Sequence, residues 1–286
     1  MKLKARSAVI TGASQGLGKA IGTEFIKEGA NIFLCARDAV LLRQTADELR
    51  QAAAKGQRVL FEPCDVSQER EVERLFTRAA EEFDSLDILI NNAGVYGPKG
   101  NSEEVSFAEW ARAIEINCYG TFLPSRFAVR LMKPRCYGKI VNLSGGGATA
   151  PLPRLSAYAA SKAAVVRLTE TLAEELREFR IDVNAVAPGA LNTRLLQEVL
   201  EAGPAAVGQA FYAKALRQRE SGGVPLEMGA RLCVYLASEE SDGITGKLIS
   251  AQWDSWDTLH RWKDRISESD VFTLRRIVPE DRGLTF

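Results

Sequence analysis

The chain has 286 residues, 46% apolar and 26% charged, the balance of a globular protein with a sizeable core. Its 37 Lys and Arg offset 37 Asp and Glu, and a formal net charge of zero argues against a protein that holds nucleic acid or an anionic membrane by charge. No stretch approaches the ~18–20 apolar residues of a membrane span, and the start MKLKARSAVITGAS reaches a glycine turn too early for a secretory signal.

The five cysteines, Cys35, Cys64, Cys118, Cys136 and Cys233, are odd in number, dispersed and without a CxxC pair. They predict reduced thiols and a cytoplasmic setting rather than a disulfide framework or a zinc site. A histidine-based metal site or a Ser-His-Asp triad would have to be built on His260 alone, so no metal is expected.

In chain order, Ser7–Thr11 predicts a buried strand, followed by glycines and a helix through Lys27. Asn31–Cys35 is a second strand, and Asp38 stands at an N-cap position before a helical stripe of Val40, Leu41, Thr45 and Leu49. Arg58–Pro63 is a third strand, Ser67–Phe83 a helix and Leu86–Ile90 a fourth strand. Phe107–Leu131 predicts one long helix kinked at Pro124. Lys139–Leu143, Ile181–Ala187 and Lys247–Ser250 are the remaining strands, with helices over Ser156–Phe179 and around Arg231–Leu236.

Apolar strands alternating with helices imply an α/β fold: a Rossmann-like, doubly wound, parallel seven-stranded sheet with helices on both faces. Residues 1–250 read as a single catalytic domain. Two segments depart from the alternation. Residues 193–225 read as an irregular insertion hinged at Gly203, Pro204, Gly222 and Gly223, and residues 251–286 as an extension carrying Trp253, Trp256 and Trp262.

The turn after the first strand, TGASQGLG, places Gly12, Gly16 and Gly18 at a strand-to-helix junction, where backbone amides suit a pyrophosphate. Downstream come CDV (Cys64–Val66), NNAG (Asn91–Gly94), Asn117, Ser144, YAASK (Tyr158–Lys162) and PG (Pro188–Gly189). In this order and spacing, over roughly Ala5–Ser250, the sequence resembles the short-chain dehydrogenase/reductase family. The resemblance implies sheet order 3-2-1-4-5-6-7 and a homodimer or homotetramer. It also implies that Gly12, Ser14, Gln15, Gly16, Leu17 and Gly18 line the phosphates and ribose, that Asp65 and Val66 form the adenine pocket, and that Asn92, Ala93 and Gly94 lie under the adenosine ribose. The loop of Pro188, Gly189, Leu191 and Thr193 would then meet the nicotinamide carboxamide.

An acid at the end of the second strand selects NAD; here Ala36 and Arg37 stand there, and a guanidinium can pair with a 2′-phosphate. NADP(H) is therefore expected, the alternative being NAD(H) with Asp38 on the ribose. Gln15 departs from the basic residue that NADP users of the family often carry there.

Tyr158 and Lys162, four apart on a helix, share one face. An adjacent ammonium, together with the positive charge of oxidised nicotinamide, is expected to lower the phenol pKa, so that Tyr158 serves as general acid/base. By resemblance, Ser144 holds the substrate oxygen, Asn117 steadies a water on a proton path, and Lys162 also holds the nicotinamide ribose. The expectation is an enzyme that interconverts a small carbonyl compound and a secondary alcohol. Its walls would come from Gly145–Leu155, Val95–Asn101 and Arg194–Pro225, with Arg154 or Arg194 available to an anion. Alternatives are a reductase of a sugar, which resembles the sugar or surface-polysaccharide enzymes with Trp-rich endings among some bacterial relatives, a reductase of a 3-oxoacyl substrate, or a non-catalytic NADP(H)-sensing regulator. Intact Asn117, Ser144, Tyr158 and Lys162 favour the enzyme.

Overall fold

A computed structural model describes residues 1–284. Its strands are β1 (Ser7–Thr11), β2 (Asn31–Ala36), β3 (Val59–Pro63), β4 (Ile88–Asn91), β5 (Gly138–Leu143), β6 (Ile181–Ala187) and β7 (Leu248–Ser250). They form one parallel seven-stranded sheet in the order β3-β2-β1-β4-β5-β6-β7, as expected. The helices are α1 (Gly16–Lys27), α2 (Ala39–Ala52), α3 (Glu69–Glu82), α4 (Phe107–Ile114), α5 (Gly120–Met132), α6 (Ser156–Leu176), α7 (Arg194–Val207), α8 (Gln209–Ser221), α9 (Leu226–Ala237) and α10 (Lys263–Ser267).

Strand side chains alternate between two layers. Ala8, Ile10, Ile32 and Leu34 pack with α1, α2 and α9, while Val9, Phe33 and Cys35 face α3 and α5. Both faces are covered, which is why the strands are apolar throughout. Asp38 caps α2 as read, its Oδ1 accepting from the amides of Val40 (3.1 Å) and Leu41 (2.9 Å). Lys139, almost fully buried on β5, donates to Asp182 on β6 (2.6 Å) and pairs with Asp242 beyond α9 (2.6 Å). Chain order reverses between β1 and β4, and the crevice at the carboxyl ends of these strands is where such sheets bind ligands.

Two expectations are corrected. The long helix over Phe107–Leu131 is two helices joined by a π turn at Glu115–Tyr119, and Pro124 lies within α5 rather than at the break. The break is set by Asn117, whose side chain bonds Val95 and Ser161 and holds the turn in its wide form. The 193–225 insertion is mostly helical rather than irregular. Gly203 (φ +73°) kinks α7, Gly208 (φ +85°) separates it from α8, and Gly222 (φ +86°) follows α8. These breakers punctuate helices instead of replacing them.

The extension packs against its own chain. Leu259 and Ile266 enter the core, and the Trp256 ring sits 5.9 Å from that of Tyr235 while Trp253 stays 80% exposed. The amide of Leu248 on β7 donates to the Phe272 carbonyl (2.7 Å), and that of Ser250 to Asp254 (2.7 Å). Leu274 is held by Glu170 and Arg167 of α6. The last two positions of the extension lie outside the described residues.

Candidate active site

The site is built where the loops after β1, β4, β5 and β6 converge. Thr11 ends β1, and its Oγ1 accepts from the amides of Asn92 (3.0 Å) and Ala93 (3.1 Å). The Asn92 amide group donates in return to the carbonyls of Thr11 (3.0 Å) and Gly12 (2.9 Å). The NNAG turn thus locks the glycine loop. A Cβ on Gly12 would fall 2.7 Å from the Ala93 Cα, and one on Gly18 would fall 2.2 Å from the Gly12 carbonyl oxygen, so neither position admits a side chain. Helix α1 opens from this loop with no side-chain cap, leaving its first amides available to an anion. A Cβ on Gly16 would fall 3.4 Å from Thr193 Cγ2, past β6, so the Pro188–Thr193 loop runs beside the glycine loop.

Beneath the reacting centre runs a polar chain. Asn91 on β4 donates to its cross-strand partner Asn142 (2.8 Å), and Asn142 donates to Thr169 of α6 (2.9 Å). These bonds seat α6 on β5 and set the height of Tyr158 and Lys162 above the sheet. Both side chains are nearly buried. The Lys162 ammonium donates to the Leu143 carbonyl (2.7 Å) and stands 5.7 Å from the centre of the Tyr158 ring. The Tyr158 hydroxyl lies against Gly145, where a Cβ would be 2.2 Å from its oxygen. Ser144, next to Gly145, has a buried hydroxyl with no hydrogen-bond partner among the described residues. A buried orphan of this kind costs about 1–3 kcal/mol and suits an oxygen that arrives with a ligand.

Asn117 Oδ1 accepts from the Val95 amide (2.9 Å), and its Nδ2 donates to the Val95 carbonyl (2.9 Å) and to Ser161 (2.8 Å). Its Oδ1 and the Lys162 ammonium lie 3.2 and 3.5 Å from the point a Gly94 Cβ would occupy, so the two groups converge on that glycine.

Burial decides the charges here. It raises the Tyr158 phenol above its ordinary value, with Tyr96 adding in the same direction. It brings the Lys162 ammonium down to about 8. The expected lowering joins the ammonium to the charge of an oxidised nicotinamide; the protein's own groups leave desolvation in control of the phenol.

On the adenine side, Asp65 Oδ1 accepts from the Ser67 amide (3.0 Å) and hydroxyl (2.7 Å), and its Oδ2 pairs with Arg112. Desolvation opposes its ionisation, but these partners outweigh it and hold the carboxyl below the usual range. Val66 is buried against Gly120. Arg37 is exposed and makes no ion pair or side-chain hydrogen bond among the described residues. Ser14 and Leu17 are buried beside the loop and Gln15 is exposed. Gly189 (φ +91°) and Leu191 lie in the loop that Pro188 opens after β6.

Sequence reasoning read Gly145 only as the start of a wall and missed the roles of Thr11, Ser161 and Arg112. Gly145 had a signal in the GGG run; the others are ordinary residues whose partners are distant in sequence. Tyr96, read only as a wall, places its ring 4.6 Å from that of Tyr158, edge to face.

Comparison with known proteins agrees with this fold. The family model described as short chain dehydrogenase matches residues 6–203. The 3beta-hydroxysteroid dehydrogenase 1 of Eggerthella lenta is 36% identical over 251 residues, covering 86% of this chain and 92% of its own. The solved NAD+-bound xylitol dehydrogenase superposes with a TM-score of 0.80 at 26% identity, over 87% of this chain and 98% of its own. A variant actinorhodin polyketide ketoreductase solved with NADPH gives 0.77 at 29% identity, over 86% and 95%. No described helix is long and apolar enough to cross a membrane. The chain belongs to the short-chain dehydrogenase family, and it is an oxidoreductase that acts on alcohol or carbonyl substrates with a nicotinamide cofactor.

Proposed function

We propose that the protein interconverts a carbonyl group and a secondary alcohol with NADP(H), using Tyr158 as general acid/base. The observation that carries this reading is the orphaned Ser144 hydroxyl beside the buried Tyr158. In this reading both hydroxyls donate to one substrate oxygen at the end of β5, as a carbonyl oxygen gaining negative charge requires.

The loop fits a dinucleotide: glycines that exclude side chains, and an uncapped helix start. Gly12, Ser14, Gln15, Gly16, Leu17 and Gly18 would hold the phosphates; Asn92, Ala93 and Gly94 the ribose; Asp65 and Val66 the adenine; and Pro188, Gly189, Leu191 and Thr193 the carboxamide. When bound, the nicotinamide supplies or accepts the hydride and, oxidised, adds positive charge that favours the phenolate. In reduction Tyr158 gives its proton to the substrate oxygen while Ser144 donates a hydrogen bond to it. In oxidation Tyr158 takes the proton back. Lys162, lowered to about 8, changes protonation near neutral pH and so suits a role in returning the proton to Tyr158. Asn117 orients Val95 and Ser161 beside it.

The preference for NADP(H) is supported by Ala36 ending β2 without a carboxylate, by the exposed Arg37, and by the commitment of Asp38 to the α2 cap. Residues 1–250 form the catalytic unit of a cytoplasmic homodimer or homotetramer in this reading. Exposed Tyr119 and Phe122 beside and on α5 support the assembly.

The test is Tyr158→Phe, assayed by reduced-nicotinamide absorbance in a screen of carbonyl and alcohol substrates. Turnover falls by about 100- to 10,000-fold, the contribution of general acid–base catalysis, while cofactor affinity stays. Full activity in that variant rejects the role of Tyr158.

A further inference from the structure

Above the reacting centre, the loop after β4 meets α7. Tyr96 packs its ring on Tyr158 and its other side on the apolar cluster of α7 and α8. The Lys99 ammonium stands 6.0 Å from the centre of the Tyr96 ring, one ring beyond the catalytic phenol.

Lys99 is only 14% exposed, yet it is poorly satisfied. Its two polar contacts, to Glu198 Oε2 and to the Gly97 carbonyl, are both 3.4 Å long. Other lysine ion pairs in the chain are tighter: 2.7 Å for Lys2 with Glu240 and 2.6 Å for Lys139 with Asp182. An ammonium has three N–H donors, and withdrawing it from water is costly unless they are used. The nearby carboxylate is already engaged, because Glu198 Oε1 accepts from Arg194 at 2.6 Å. Two cations therefore share one anion. Tyr96 supplies no negative charge, since burial first and Glu198 second raise its phenol above the ordinary value.

We propose that Lys99 is the specificity-determining residue for an acidic substrate: a hydroxy or keto acid whose carboxylate docks on this ammonium while its carbinol or carbonyl carbon reaches Tyr158 and Ser144. The proposal rests on the catalytic reading above and adds the substrate class. The anion completes the donors of Lys99, and the Tyr96 ring spaces the carboxylate from the reacting carbon. Arg194 keeps Glu198 from competing.

The test compares acids with their amides, which share a skeleton and lack the charge. The probes are 3-hydroxybutyrate, 4-hydroxypentanoate and 5-hydroxyhexanoate with their amides. Each is titrated by calorimetry into full-length Tyr158→Phe protein with saturating NADP+, so that binding is read apart from turnover. At least one acid binds about 10- to 100-fold more tightly than its amide, the range for one charge-assisted hydrogen bond. Adding Lys99→Met abolishes the difference by weakening the acid alone, and Lys99→Arg retains most of it. A merely structural role for Lys99 would weaken acid and amide together. Equal or absent binding of every pair, or a preference that survives Lys99→Met, overturns the proposal. Acid preference in binding with no turnover by the wild-type chain overturns the catalytic reading and leaves the recognition role standing.

Discussion

The sharpest test of the site is Gly145→Ala. The added Cβ would lie 2.2 Å from the Tyr158 hydroxyl oxygen and 3.1 Å from Cζ. Non-bonded heavy atoms settle near 3.5 Å, so the phenol must retreat by about 1 Å. A misplacement of that size costs roughly 100-fold in rate, or about 2.7 kcal/mol of transition-state stabilisation. Gly145 is not in the left-handed region, so the substitution brings crowding without backbone strain. Overpacking costs about 1–3 kcal/mol, a fall in Tm of roughly 2–10 °C. Gly146→Ala is the control, since a Cβ there meets nothing within 4 Å among the described residues. Steady-state rates on a substrate from the carbonyl screen, cofactor titration and thermal melts are measured for both. Gly145→Ala loses about 100-fold in kcat with cofactor affinity unchanged, and Gly146→Ala stays near wild type. Full kcat in Gly145→Ala, or equal losses in both, refutes the placement of the acid at that hydroxyl.

Arg37→Ala weakens NADP binding by about 10- to 100-fold, the value of a charge-assisted contact, and leaves NAD binding alone; fluorescence titration with both cofactors reads it, and an unchanged ratio removes Arg37 from the site. Lys162 binds its proton less tightly folded, at about 8, than unfolded near 10.5, so the unfolded chain holds more protons between those values and stability rises with pH through that window. The contribution is up to about 3 kcal/mol. The thiols of Cys35, Cys118 and Cys233, held above their ordinary range in the folded chain, cost stability over the same window and oppose it, so it is read as a difference between wild type and a Lys162 variant. Urea melts from pH 7 to 10 show wild-type stability rising relative to that of Lys162→Met, and a difference that does not change with pH refutes the reasoning. Lys139→Met leaves Asp182 buried without its cation and lowers stability by about 3–5 kcal/mol, read as a fall in urea midpoint; a neutral result means water compensates that carboxylate.

What the sequence discloses follows from how local the cause is. The strands show because burial on both faces makes each a continuous apolar run, as in Ile32–Cys35. Tyr158 and Lys162 show because a spacing of four fixes a shared face whatever surrounds the helix. The π turn does not show, because it depends on Asn117 reaching Val95, 22 residues earlier. The pairing of Arg112 with Asp65 spans 47 positions, and that of Lys99 with Glu198 spans 99. Nothing in the neighbours of those residues marks their partners. The helices of the insertion are hidden for another reason: Gly203, Gly208 and Gly222 carry the same letters whether they end a helix or fill a loop.

The way the extension meets β7 has a consequence for association. A border strand ordinarily presents a row of free amides that another polypeptide can zip onto. Here the outward amides of Leu248 and Ser250 are spent on Phe272 and Asp254 of the same chain. The sheet is hemmed from within, so copies of this molecule that meet on that flank do so through side chains, and a continuous intermolecular sheet would first require peeling back the hem.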